Sequence, residues 1–327
     1  MMMLVPAVLI AGCAAAPAPK PVLPLRGGPT ATPIGVPLPS EEWVPAAQVQ
    51  SVAIRLLGAL RAPCSVQLEM YELGNNVLIN ALESARRAGC SLAVELDGNE
   101  TQSHASAGIL EQAGIRVELT NLPGGALDHI KALVLNGGQT ALIGGVNWGA
   151  YSSDTTDADV LLRDQPGLSQ KLTSDWKHPN SFTGALFPDA INGAELQATF
   201  SSLINNARTR ILMVANYVSS YVIQDALAAA ASRGVQVDVL LNPQGYGAQN
   251  ATRWLLAHGV RVRWAPPSPY LHAKVILSDD SGIVGSANFS YDGLDINREL
   301  DVTIPNSVMP AATTWATALW NQGSPAA

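Results

Sequence analysis

From Trp43 onward the apolar residues change period in a regular order. VPAAQVQSVAIRLLGAL (44–60) spaces them as a helix does, CSVQLEMYEL (64–73) alternates like a strand, and NNVLINALESARRAG (75–89) is helical and closed by Gly89. A strand, CSLAVELD, a helical stretch, HASAGILEQAG, and a strand, IRVEL, follow. The second half runs through the same order: AELQATFSSLINNA helical, RILMVANYV a strand, YVIQDALAAAASRG a helix closed by Gly234, VQVDVLL a strand, NATRWLLAHG helical and VRVRW a strand.

The correspondence extends to single positions. Gly89 matches Gly234, Gly114 matches Gly259, His129 matches His272, Asn147 matches Asn288 and Trp176 matches Trp320, at offsets between 141 and 145 residues. Solenoid repeats are much shorter, so the repeat is one globular lobe, residues 41–178, duplicated as residues 179–327. Strands alternating with helices predict an α/β fold: two tandem repeats of a mixed, largely parallel β-sheet flanked by helices, packed about a pseudo-twofold axis.

Composition narrows the class. The 327 residues are 47% apolar and 14% charged with a net charge of -7, enough to bury sizeable cores but without the basic surface of an avid nucleic-acid binder. The first residues, MMMLVPAVLIAGC, form an apolar run too short to span a bilayer, and LIAGC resembles a bacterial lipobox whose Cys13 becomes the lipidated first residue. Residues 1–13 are therefore expected to be a signal peptide and residues 14–40, rich in Pro and Ala, a semi-rigid tether. The expectation is a body held at, or secreted from, a bacterial cell envelope. Cys64 and Cys90 then remain, each opening a predicted strand at the same edge of two neighbours about 4.8 Å apart, which predicts a disulfide.

The candidate chemistry lies in the pair LDHIKALVLNGGQTALIGGVNWG (127–149) and YLHAKVILSDDSGIVGSANFS (270–290). One copy carries His129, Lys131, Asn136, Gly145 and Asn147, with Asp157 downstream; the other carries His272, Lys274, Asp279, Ser286 and Asn288, with Glu299 downstream. These stretches resemble the paired HKD motifs of the phospholipase D superfamily. On a strand, residues two apart share a face, so each histidine projects with its lysine. Two histidines and two lysines meeting in one cleft supply a nucleophile, an acid and countercharge for phosphodiester cleavage, with no metal and no cofactor called for.

The resemblance implies that His129 attacks phosphorus and His272 acts as acid and base. It implies that Lys131, Lys274, Asn147, Asn288 and Ser286 hold the phosphate oxygens, and that Asp157 and Glu299 each orient an imidazole. Asp279 and Asn136 occupy the family's supporting acidic position. The departures are Asn136, where the family carries Asp, and Gly145, where the second copy carries Ser286. A lone His-x-Lys on a strand is commonly structural; two copies at matching repeat positions, each followed by an Asn and an acid, are not. His104, His178 and His258 lack such partners and read as loop or helix surface, and Trp176 and Trp320 as core. No zinc spacing, phosphate loop or nucleophile elbow occurs.

The motif leaves the substrate open. A phospholipid or membrane surface is the first expectation, from the anchor, the acidic charge and the aromatic loops with Trp148, Tyr151, Tyr270, Phe289 and Tyr291. An endonuclease acting on DNA or RNA is the alternative, and a binding protein that has lost turnover the third. One chain supplies both half-sites, so a monomer is expected.

Overall fold

The computed structural model describes residues 41–177, 189–190 and 194–326; Cys13, the tether, His178 and the side chain of Trp176 lie outside the described residues. The first lobe runs β1 (Glu42–Pro45), α1 (Ala46–Gly58), β2 (Ser65–Met70), α2 (Asn76–Arg87), β3 (Ser91–Asp97), α3 (Thr101–Gln112), β4 (Arg116–Thr120), β5 (Lys131–Leu135), β6 (Thr140–Gly144), β7 (Thr155–Thr156), β8 (Ala158–Arg163) and α4 (Leu168–Lys177). The second runs β9 (Asp189–Ala190), α5 (Ala194–Asn206), β10 (Arg210–Ala215), α6 (Tyr221–Ser232), β11 (Gln236–Leu241), α7 (Ala248–Ala257), β12 (Arg261–Trp264), β13 (Tyr270–Leu271), β14 (Lys274–Ser278), β15 (Ser281–Gly285), β16 (Glu299–Thr303), α8 (Met309–Gln322) and β17 (Ser324–Pro325).

Helix α2 shows how local chemistry sets these elements. The Asn75 side chain accepts from the backbone N–H groups of Val77 and Leu78, capping the start. Leu78, Ile79, Leu82 and Ala85 form the buried stripe, and Gly89, at φ +93°, ends the helix as Cys90 N–H returns to the Ala85 carbonyl. In the repeat, Ser220 caps α6 and Gly234, at φ +90°, closes it.

The strand orders are β1-β8-β6-β5-β2-β3-β4 and β17-β12-β11-β10-β14-β15-β16-β9. Both sheets are mixed. The parallel pairs are those joined by helical crossovers, β2 with β3 with β4 and β10 with β11 with β12. Each motif folds as a hairpin, β5–β6 or β14–β15, and adds antiparallel pairs to the parallel core. Cys64 and Cys90, just ahead of β2 and β3, are joined by a disulfide with Cα atoms 4.6 Å apart.

The strands read as unbroken apolar runs because both faces of each sheet are covered. On β5, Leu133 and Leu135 face the helices of the first lobe, whereas Ala132 and Val134 join a core shared with the second lobe. On β14, Val275 and Leu277 enter the shared core and Ile276 faces the helices of the second lobe. The two sheets thus share one core, into which Leu168 and Leu172 of α4 and Ala312 and Trp320 of α8 pack, and the other face of each sheet is covered by helices of its own lobe. Among the described residues no helix is long and apolar enough to cross a membrane.

Candidate active site

Two short backbone bridges between the lobes assemble the site. Asp128 pairs with Arg298, and His129 N–H donates to the Arg298 carbonyl at 2.9 Å. At the matching place in the repeat β13 pairs with β7, and His272 N–H donates to the Thr156 carbonyl at 2.9 Å. In each bridge the next residue on one strand is a histidine and on the other an acid. His129 Nδ1 therefore meets Glu299 at 2.8 Å, and His272 Nδ1 meets Asp157 at 2.8 Å. The pairs are crossed: each lobe's acid orients the other lobe's imidazole.

The lysines complete the cluster. Lys131 Nζ donates to the His129 carbonyl and lies 5.1 Å from the centre of the Tyr71 ring. Lys274 Nζ donates to the His272 carbonyl, lies 2.9 and 3.0 Å from the two ring nitrogens of His272, and is 3.7 Å from Asp157. Burial, helped by the neighbouring lysines, pulls both histidines down to about 4, against the pull of Glu299 on His129 and Asp157 on His272. Burial likewise lowers Lys131 to about 7 and Lys274 in the same direction. Burial works against the charge on Glu299 and Asp157, but the cations they face outweigh it and both carboxyls lie below their ordinary range. At neutral pH the free site thus holds two neutral imidazoles, each donating Nδ1–H to a carboxylate, with Nε2 left as the basic nitrogen.

Asn136 and Asp279, read as supporting positions, lie apart from the cluster, and the expectation for Ser286 is corrected. Each of the first two sits at φ near +50° past the far end of its strand, about 17 Å from the lysine. There Asn136 accepts Ser65 N–H at 3.0 Å, and Asp279 accepts the N–H groups of Arg208, Thr209 and Arg210, so both clamp the start of the neighbouring strand. Ser286 is fully buried and holds no phosphate; its hydroxyl accepts from Leu300 N–H at 2.9 Å and bonds the Glu299 carboxylate. Gly145, its counterpart, has no room for a side chain, since a Cβ there would lie 2.4 Å from Asp157 Oδ1. Serine pairs with the longer Glu299 and glycine with the shorter Asp157. Asn147 borders the cavity beside His272, and neither Asn147 nor Asn288 has a partner for its buried amide oxygen.

The other described histidines, His104 and His258, have partners of their own. His104 bonds the Gly98 carbonyl, and His258 stacks on Trp254 at 3.9 Å.

Other functional residues carry no motif. Arg298, ahead of Glu299, sends Nη1 into three first-lobe carboxylates: 2.6 Å from Glu69, 3.0 Å from Glu95 and 3.0 Å from Asp128. Those carboxylates would suit a metal ion, but the guanidinium is their counter-charge. Burial and then Asp128 raise Glu95 to about 9, so it keeps its proton beside the arginine. Asp159 and Asp301, two residues beyond the orienting acids, are raised well above the carboxylate range by burial and accept the N–H groups of Val146 and Ala287 in the turns that carry Asn147 and Asn288. Buried charges on strands, as in ELDV, DADV and QLEM, were the available signal.

The two lobes thus bring crossed histidine–carboxylate pairs and two lysines into one cluster, a set of groups suited to phosphoryl transfer. Residues 200–320 match the family profile described as cardiolipin synthase, PLD-like domain. Among solved structures, phosphatidylserine synthase of Haemophilus influenzae Rd KW20 aligns at TM-score 0.68 with 11% identity over 88% of this chain and 87% of that one. Polyphosphate kinase of Porphyromonas gingivalis aligns at 0.62 with 15% identity over 81% of this chain, which spans 44% of the kinase. Nuc from Salmonella typhimurium aligns at 0.40 with 27% identity over 43% of this chain and 95% of that one. Comparison with curated protein sequences gives no significant match. Residues 200–320 are thus similar to a PLD-like domain, and the chain as a whole shares the fold of the synthase.

Proposed function

We propose that the protein is a metal-independent phosphodiesterase or phosphatidyltransferase acting on phospholipids through a phosphohistidine. His129 Nε2 attacks phosphorus, forming an N–P bond as the P–O bond to the leaving alcohol breaks, and His272 gives that oxygen its proton. His272 then takes a proton from water or an alcohol, whose oxygen attacks phosphorus and releases His129. Lys131 and Lys274, with Asn147 and Asn288, hold the non-bridging oxygens.

The charge state of the cluster supports this division. A histidine near 4 suits attack but cannot act as an acid at neutral pH. A phosphodiester anion about 4 Å away is worth about 4 kcal/mol at the effective dielectric of a protein site, enough to carry His272 from about 4 to near neutrality. The His272 side chain is 19% exposed and borders a cavity, whereas that of His129 is 7% exposed. A leaving group and the water that replaces it need such an opening, which favours His272 as acid and base.

The observation that carries the lipid reading is the lining of that cavity: Glu72, Tyr151 and Tyr270 stand with His272, and no lysine or arginine does. A nucleic-acid strand needs a cationic groove along its backbone. A lipid offers one phosphate, and tyrosines suit a polar–apolar boundary. Residues 1–40, read as leader and tether, agree with an envelope location, which labelling of Cys13 with a radioactive fatty acid tests.

The decisive assay follows release from phospholipid micelles and from DNA in the presence of chelator, with His129→Ala and His272→Ala as controls. Lipid turnover that falls by more than about 10³-fold in both variants is expected. DNA cleavage with inert lipid transfers the protein to the nuclease class.

A further inference from the structure

The mouth of the catalytic cavity carries a charge that phosphate binding does not require. Glu72 follows β2 at the carboxyl end of the sheet and lines the cavity of about 250 Å³ with Tyr151, Tyr270 and His272. Its carboxylate accepts from the Gln102 side chain, whose own oxygen accepts Ala150 N–H at 3.2 Å. The loop above it is shaped around it: a Cβ at Gly149 would lie 2.4 Å from the carboxylate carbon. The cation acting on it, Lys131, is turned toward the His129 carbonyl and the Tyr71 ring, and among the described residues Glu72 has no ion-pair partner within 4 Å. Burial and then the negative charge of Glu100 raise the Glu72 carboxyl above its ordinary range, while Lys131 and the Gln102 hydrogen bond pull it down. Tyr151, largely exposed, and Tyr270, whose hydroxyl donates to Asn216 at 3.2 Å, bring aromatic rings to the same opening.

A carboxylate next to tyrosine rings is a receptor for an organic cation, through charge and through the ring faces. The same carboxylate repels a second phosphate. We propose that Glu72, with Tyr151 and Tyr270, binds the ammonium group of an amino alcohol, either as the head group that leaves from the phosphodiester or as the acceptor that enters. The proposal rests on the phosphodiesterase reading and names the substrate class for it. The amino alcohol's oxygen then lies beside His272, which protonates it as it departs or deprotonates it as it attacks.

The test uses the full chain in mixed detergent micelles. Phosphatidylethanolamine and phosphatidylglycerol are compared as substrates, and ethanolamine and glycerol as acceptors when phosphatidylglycerol is the donor. We expect the amino-alcohol partner to be preferred in one of these two arms, and Glu72→Gln to reduce that preference, expressed as a ratio of kcat/KM values, by at least about tenfold. Choline should compete in the native protein and lose that competition in Glu72→Gln. An unchanged ratio, with both substrates slowed alike, assigns Glu72 a structural role and overturns the proposal. Should no phospholipid be turned over, direct calorimetric binding of choline and ethanolamine decides it: binding lost in Glu72→Gln upholds the ammonium site although the lipid reading has failed, and no binding to the native protein overturns it.

Discussion

His129 and Glu299 lie 170 residues apart and share a hydrogen bond of 2.8 Å. The bond exists because the preceding residues, Asp128 and Arg298, form a backbone bridge between the lobes, and His272 with Asp157 repeats the arrangement in mirror order. Neither half-site is complete within its own lobe.

Exchanging an orienting carboxylate for its amide tests this dependence. Glu299→Gln should leave the His129 ring with the wrong hydrogen-bonding partner and lower kcat by about 10²–10⁴-fold, with circular dichroism unchanged. Asp157→Asn should act likewise through His272. A loss below about threefold in steady-state turnover is incompatible with the crossed pairs.

The pH response follows from burial. Both histidines are held near 4 in the folded protein against about 6.5 in an unfolded chain. Between those values the unfolded state binds more protons, so stability is full above about 6.5 and falls as pH drops toward 4. Loss of charge on Asp157 and Glu299, both lowered in the fold, acts in the same direction at lower pH. A bound tetrahedral oxyanion reverses the histidine shift, so tungstate should bind with proton uptake and more tightly as pH falls from 7 toward 5, measured by calorimetry in two buffers of different ionisation enthalpy.

Arg298 is the shared counter-charge of the buried Glu69, Glu95 and Asp128 side chains. Arg298→Ala leaves them uncompensated and should cost about 3–5 kcal/mol in denaturant unfolding. It should also lower activity by freeing the strand that carries Glu299. Arg298→Lys, which keeps the charge but reaches fewer oxygens, should fall between.

Giving the first motif the residues of the second, Asp279 and Ser286, should have unequal effects at the two sites. Asn136→Asp keeps an acceptor for Ser65 N–H far from the cluster, and activity within about twofold of the native protein is expected. Gly145→Ser introduces a side chain into the space of Asp157 and should lower kcat by at least about tenfold. Lengthening the acid together with it, Gly145→Ser with Asp157→Glu, reproduces the Ser286–Glu299 pairing and should recover part of the loss. Kinetics on the three variants decide between a packing constraint and a simple missing hydroxyl.

The Cys64–Cys90 disulfide closes a loop with a sequence separation of 26 residues. Replacing both cysteines by Ala should lower stability by about 3 kcal/mol in denaturant unfolding, with the reaction chemistry unaltered. Equal midpoints would show that the crosslink adds nothing.

The sequence alone determined the repeat, the order of strands and helices, the disulfide-bearing edge and the two histidine–lysine pairs. Each depends on a short-range regularity: a period of two or 3.6, a glycine closing a helix, or residues two apart sharing a strand face. Tertiary structure decided which acid serves which histidine, because that pairing joins residues 115 and 170 positions apart and leaves no local period. It also set Asn136 and Asp279 apart from the cluster and removed Ser286 from the phosphate-binding set. Hairpin geometry carries the first two away from the cluster, and the hydroxyl of the third is committed to Leu300 and Glu299. Glu69, Glu95 and Asp128 look in sequence like ordinary polar strand positions, as does Glu72 just past its strand. Only when the second lobe lays Arg298 across the first three and opens a cavity beside the fourth do their charges acquire partners and a role.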